Sequence, residues 1–301
     1  MLLVQNLTWD IAIIRRLSGI LTNKLTIYFY YQKTAVEQLI AIVNMHIVKP
    51  SNMSHNRRIV IGDVHGHYDT LIALLDSISP NSDDEIYFLG DLIDRGPKSS
   101  QVVDFIMRNQ YHCLRGNHEE MMLDVVGTGE VSIELYQGWL YSGGHATVAS
   151  YDSKIPQEHI DWMKDLPLYI DLGDYWLVHA GVNPNIPLEQ QSAEEFCWIR
   201  EDFHISDRAF FKDKLIVTGH TITFTLPGVK PGQIAAGRGW LDIETGAYHH
   251  NSGWMTALDL DRHKVYQANT LDGRIRILPL SKAIAKMDSS KIVPRRMRKR
   301  A

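Results

Sequence analysis

The run Arg57–Ile61 (RRIVI), followed directly by Gly62-Asp63-Val64-His65-Gly66, decides how this sequence folds. Ile59, Val60 and Ile61 suit a buried strand, and Gly62 ends it. Tyr68, Leu71, Ile72, Leu75 and Ile78 then recur at helical spacing. The unit repeats. Glu85–Leu89 (EIYFL) runs into Gly90-Asp91-Leu92-Ile93-Asp94-Arg95-Gly96-Pro97, and a helix is predicted over Ser99–Arg108 with Val102, Val103 and Ile106 inward. Tyr111–Leu114 leads into Arg115-Gly116-Asn117-His118-Glu119; Tyr175–Val178 ends in His179-Ala180-Gly181, and Leu215–Thr218 in Gly219-His220-Thr221. Such alternation predicts an α/β domain whose ligands gather outside the C-terminal ends of the strands.

Every one of these strand ends carries Asp, Asn or His. Asp63, His65, Asp91, Asn117, His179 and His220 make a mixed oxygen and imidazole set, which suits Mn²⁺, Fe or Zn²⁺ better than the all-oxygen shell of Ca²⁺. Carboxylates bridge well, so a central Asp91 is the candidate to hold two ions about 3.5–4 Å apart, the spacing of two-metal hydrolysis. Taken singly, each block has a plainer reading. Asp63 is an ordinary N-cap for the helix that follows, and a lone histidine at a strand end is a hydrogen-bonded structural residue. Ligand types at five successive strand ends are not explained that way.

Composition sets the outer bounds. In 301 residues, 45% are apolar and 22% charged, which excludes disorder over most of the chain. Two cysteines, Cys113 and Cys197, are too few for a disulfide framework, so a cytoplasmic location is expected. The net charge of −4 conceals an asymmetry. Residues 1–52 hold five basic side chains against two acidic ones, and residues 282–301 hold eight against one. Removing these surpluses of three and seven leaves −14 on residues 53–281. The chain therefore divides into an N-terminal extension (1–52), an acidic body (53–281) and a basic C-terminal tail (282–301). Thr34–Val48 fits an amphipathic helix, and Met53 is a candidate initiator that would make residues 1–52 upstream sequence rather than an extension docking on the body or a partner. The charge-free runs near the start are too short for a membrane span. The tail cluster Arg295–Arg300 lacks interleaved aromatics and reads as solvated.

At this level of detail the chain resembles the calcineurin-like metallophosphoesterases, and more narrowly the bacterial and phage branch of the phosphoprotein phosphatases. The resemblance rests on GDVHG (62–66), GDLIDRGP (90–97), GNHE (116–119), HAG (179–181) and GHT (219–221), together with SGG at 142–144 and DIETGA at 242–247. It implies two packed mixed β-sheets flanked by helices rather than a simple doubly wound sheet. It also implies a first metal on Asp63, His65 and Asp91, and a second on Asp91, Asn117, His179 and His220. His118 beside Asp94 would be the acid that protonates the leaving oxygen, with Arg95, Arg200 and Asn117 around the phosphate. The implied reaction is hydrolysis of a phosphomonoester by a hydroxide bridging two divalent ions, Mn²⁺ foremost. No Ser or Cys nucleophile is needed for that chemistry.

The substrate expected from the resemblance is a phosphorylated protein, with small phosphoesters also accepted; the alternative is diadenosine tetraphosphate. Enzymes of the latter class tend to lack the aspartate of the Asp94-Arg95-Gly96 block and to carry GNHD, whereas this chain reads GNHE. A silent scaffold would have lost a ligand or the acid, and neither is missing. A nucleic-acid partner is not expected of a body at −14. Arg115 either points at phosphate or pairs structurally with Glu119 or a nearby Asp, and Glu119 and Glu120 read as acids suited to the start of a helix. His145, His249 and His250 have no assigned role, and Trp139, Trp162, Trp176 and Trp254 read as core or rim.

Overall fold

A computed structural model describes residues 56–126 and 132–291. The expectations for residues 1–52, for Met53 and for the cluster Arg295–Arg300 fall outside these residues.

Two six-stranded mixed sheets form the frame. In the first, β1 (Arg58–Ile61), β2 (Glu85–Phe88) and β3 (His112–Cys113) run parallel, with the helices α1 (Tyr68–Ile78) and α2 (Ser99–Arg108) as crossovers. The strands β9 (Trp254–Asp259), β10 (Lys264–Asn269) and β11 (Ile275–Pro279) extend it antiparallel beside β1, giving the order β11-β10-β9-β1-β2-β3. The second sheet runs β12-β7-β8-β6-β5-β4. It contains β4 (Tyr169–Asp171), β5 (Tyr175–Val178), β6 (Leu215–Thr218), β7 (Ile234–Gly237), β8 (Trp240–Asp242) and β12 (Ile284–Lys286).

Ile59, Val60 and Ile61 are all fully buried, so β1 is covered on both faces, as a strand inside a layered α/β fold must be. The sheets touch where Gly62 meets Ile243: a Cβ at Gly62 would lie 3.2 Å from the Ile243 carbonyl oxygen. Arg58 ties the layers at the opposite ends of the strands, binding Asp261 and Asp174, each at 2.7 Å. Arg57 is buried against Asp84 at 2.5 Å.

Three expectations are refined. The inward face of α1 is Leu71, Leu74, Leu75 and Ile78, with Ile72 half-buried. The strand expected over Tyr111–Leu114 pairs only at His112 and Cys113, although Leu114 N–H still donates to the Phe88 carbonyl. The fold also runs past residue 281. β12 pairs parallel with β7, and Met287 is buried against the core of the second sheet. Counting charge obscured this strand because Lys282 and Lys286 flank apolar residues that have a sheet edge to join.

Candidate metal centre

The loops at the C-terminal ends of β1, β2, β3, β5 and β6 converge. They do so with the backbone in an uncommon conformation. His65, Asp91, Asp94, Arg95 and His220 all have positive φ, between 47° and 72°. Such conformations cost of order 1–3 kcal/mol each and persist only where the surroundings enforce them. One enforcing group is Glu119, in the first turn of α3 (Asn117–Val126). Its carboxylate accepts the backbone N–H of Asp91 and Leu92 at 2.8 Å and of Gly116 at 2.9 Å, binding the loop after β2 to the loop after β3. Burial, and then the charge of Asp91, push this carboxyl up to about 8. Two glycines are required by close approach. A Cβ at Gly116 would lie 2.3 Å from Asp91 Oδ1, and one at Gly219 would lie 2.3 Å from Asp63 Oδ1.

All six predicted ligands lie together and are buried. Donor atoms of Asp91, His179 and His220 fall within 4.8 Å of one another, as do those of His65, Asp91 and His118. Asp91 belongs to both groups. His65 Nδ1 donates to the Ile93 carbonyl (2.9 Å) and His179 Nδ1 to the Leu89 carbonyl (2.8 Å), which turns each Nε2 lone pair inward. His179 Nε2 is 3.4 Å from Asp91 Oδ1 and 3.0 Å from Asn117 Oδ1. His220 Nδ1 is 2.7 Å from the same Asn117 oxygen. Asp63 accepts the backbone N–H of His220 and stands 3.8 Å from His65 Nε2. Two differences from expectation concern the first donor group: Asp63 is not part of it, and His118 is, with Nε2 3.9 Å from Asp91 Oδ2.

His118 Nδ1 donates to Asp94 Oδ2 at 2.6 Å. Asp94 is itself held by Trp139 Nε1 (3.0 Å) and Thr147 Oγ1 (2.6 Å). Trp139, expected only as core or rim, is thus a partner of this carboxylate. It closes α4 (Ile133–Trp139), while Thr147 lies on α5 (His145–Ser150). Between them sits the SGG block, where Gly143 accepts the Arg95 N–H at 3.1 Å. Neither Trp139 nor Thr147 carries a local sequence signal of this role.

The Arg95 guanidinium touches His65 Nε2 and lies 3.9 Å above the Tyr248 ring centroid. Tyr248 also meets the His65 ring edge-on and was not singled out from sequence. Beyond α6 (Gln157–Lys164) and α7 (Ala193–Trp198), Arg200 stands before the short helix α8 (Glu201–His204), with Nη1 donating to the His220 carbonyl (3.4 Å) and Thr221 Oγ1 (3.2 Å). Its side chain is open to solvent. Other residues lie outside both donor groups. His249 and His250 stack at 4.5 Å with Phe224 beside them, His145 Nδ1 faces the Leu140 carbonyl, and Arg115 pairs with Glu120 at 2.9 Å. Cys113 and Cys197 are buried free thiols.

The electrostatics match a cation site. Burial, then the charges of Glu244 and Asp91, hold the Asp63 carboxyl well above the carboxylate range. Burial likewise pushes Glu244 up to about 8. Burial is also the first cause of the lowered values at His65, His179 and His220, which favours neutral imidazoles. His220 Nε2 is buried with no hydrogen-bond partner. Crowded acids, neutral imidazoles and an orphaned nitrogen are the conditions a pair of divalent cations relieves.

The family model of the calcineurin-like phosphoesterases matches residues 57–251, and the chain belongs to this family. The symmetrical bis(5'-nucleosyl)-tetraphosphatase of Neisseria gonorrhoeae (strain NCCP11945) is 33% identical over 129 residues, which cover 41% of this chain and 43% of the relative. Serine/threonine-protein phosphatase 2 of Escherichia coli (strain K12) is 35% identical over 139 residues, covering 43% of this chain and 61% of the relative. The chain thus spans less than two thirds of the length of these curated relatives. A crystal structure of a candidate diadenosine tetraphosphatase superposes with a TM-score of 0.51 at 19% identity, covering 74% of this chain and 93% of the other. That likeness concerns the fold, with its two mixed sheets flanked by helices.

Proposed function

We propose that this protein is a two-metal phosphomonoester hydrolase acting on phosphoserine and phosphothreonine side chains, with Mn²⁺ as the working cation. Asp63, His65 and Asp91 would hold one ion, and Asp91, Asn117, His179 and His220 the other. When bound, the cations supply a nucleophilic water at neutral pH and Lewis-acid stabilisation of the phosphoryl oxygens. The remaining work falls to the chain. Arg95 and Arg200 reach the phosphoryl oxygens with charge-assisted hydrogen bonds, and Asn117 adds a neutral contact. His118 delivers a proton to the departing oxygen from Nε2, because Nδ1 is committed to Asp94.

The observation that carries the reading is this fixed His118–Asp94 pair beside a carboxylate common to both donor groups. A seryl alkoxide is a poor leaving group and needs a placed acid, which contributes about 10²–10⁴ in rate. A second reading is favoured by the names of several relatives, that of a dinucleoside tetraphosphate hydrolase. Turnover of a phosphoseryl peptide and of diadenosine tetraphosphate, measured side by side under Mn²⁺, separates them. We expect the phosphopeptide to have the higher kcat/KM; a preference for the dinucleotide would reverse the assignment.

A further inference from the structure

Beneath Arg200 lie two buried groups that the catalytic scheme leaves unused. His204 closes α8, and Asp242 closes β8; they are 2% and 0% exposed. His204 Nε2 faces Asp242 Oδ2 at 3.4 Å, and both atoms are buried without a hydrogen-bond partner elsewhere or a well-aligned bond to each other. The far sides of both residues are engaged. His204 Nδ1 donates to the carbonyl of Arg200 at 2.7 Å, which also accepts the His204 backbone N–H at 3.1 Å. Asp242 Oδ1 accepts the Glu244 N–H at 3.0 Å. Because a carbonyl only accepts, His204 Nδ1 carries a hydrogen. If the imidazole is neutral, Nε2 is then a lone pair, and any hydrogen shared between it and the facing carboxyl oxygen must come from Asp242.

Burial acts in that direction on both groups. It lowers His204 to about 4 and holds Asp242 well above the ordinary carboxylate range. A neutral imidazole opposite a protonated carboxyl places no net charge in the interior, which avoids the cost of a buried ion pair. The His204 ring is further fixed edge-on against Trp240, at 4.9 Å between centroids.

We propose that His204 and Asp242 form a positioning pair that anchors Arg200 to the second sheet and so sets where its guanidinium meets the substrate phosphate. The chain of contacts runs from the end of β8 through Asp242 and His204 to the Arg200 backbone. From Arg200, Nη1 then reaches His220 and Thr221. α8 has only four residues, and the single turn closed by the His204 N–H on the Arg200 carbonyl is a weak restraint by itself. The pair supplies the further restraint. This inference rests on Arg200 contacting phosphate.

The test uses the full chain with Mn²⁺ and p-nitrophenyl phosphate. His204→Phe is expected to lower kcat/KM about tenfold, mainly through KM, because Arg200 no longer holds its place. Asp242→Asn keeps an acceptor at Oδ1 and a donor toward Nε2, so it should retain kcat/KM within about twofold, the rescue that a positional hydrogen bond requires. In an Arg200→Ala background, which itself loses about tenfold or more, His204→Phe should add less than about twofold. If His204→Phe fails to melt cooperatively, His204→Asn replaces it, since Asn keeps the bond to the Arg200 carbonyl but loses the one to Asp242. Equal losses from the His204 variant in both backgrounds would overturn the positioning role. So would a loss in Asp242→Asn as large as that in His204→Phe. Wild-type kcat/KM in Arg200→Ala would instead remove the phosphate contact itself, and the inference with it.

Discussion

The two sheets contribute to the site in different ways. The first sheet delivers Asp63, His65, Asp91, Asp94, Arg95, Asn117 and His118 from loops locked to one another. Glu119 alone bonds three backbone N–H groups across two of those loops, and Asp94 is clasped by His118, Trp139 and Thr147. The second sheet delivers His179, His220 and Arg200 from separate stretches, and the two histidines are fixed largely by bonds to the first sheet's residues: His179 to the Leu89 carbonyl and Asn117, His220 to Asp63 and Asn117. A densely braced half is suited to holding strained conformations and a proton donor in fixed geometry.

The sharpest attempt to break this contrast is Asp91→Asn. Because Asp91 stands in both donor groups, metal-dependent turnover should fall by roughly 10³-fold or more, as it should in EDTA with recovery on adding Mn²⁺. The thermal stabilisation by Mn²⁺, about 2.7 kcal/mol per site at a hundredfold excess over Kd, should be largely lost as well. In His220→Ala the damage belongs to the second sheet alone, and part of the stabilisation should survive. Normal activity in Asp91→Asn would end the case for a shared ligand.

His118→Asn comes next. Seryl phosphate turnover should drop about 10²–10⁴-fold, and an aryl phosphate, with its weaker basic leaving group, should lose less. Bound metal, read by elemental analysis, should stay at the wild-type level. A metal-depleted variant would instead make His118 a ligand, which its proximity to His65 and Asp91 permits.

The smallest effect is expected from Trp139→Phe, which deletes one of the donors to Asp94. A hydrogen bond worth about 1 kcal/mol corresponds to a loss somewhat under tenfold in kcat on a seryl phosphate. Thr147→Val tests the other donor in the same assay. If neither variant changes kcat, the bracing of Asp94 has no bearing on proton transfer.

Much of the first half was readable in advance. Glycine-bounded blocks such as Gly62–Gly66 and Gly90–Pro97 announce strand ends, because only glycine or a strained residue follows those backbone paths. The ligand types within the blocks then stood out. Trp139, Thr147 and Tyr248 were not readable, since a Trp at helical spacing fits a core as well as a hydrogen bond to a carboxylate. The role of Glu119 was misjudged for a similar reason. An acid in the first turn of a helix normally faces water, whereas this one is fully buried under three N–H donors.

Sequence alone determined the alternation of strand and helix and the chemical character of each strand end, because both are local properties carried by periodicity and side-chain type. Tertiary structure decided which indole holds Asp94 and what lies beneath Arg200. It also kept the chain in the second sheet through Met287. Each of these depends on contacts between residues far apart in the chain, and no local pattern encodes a distance.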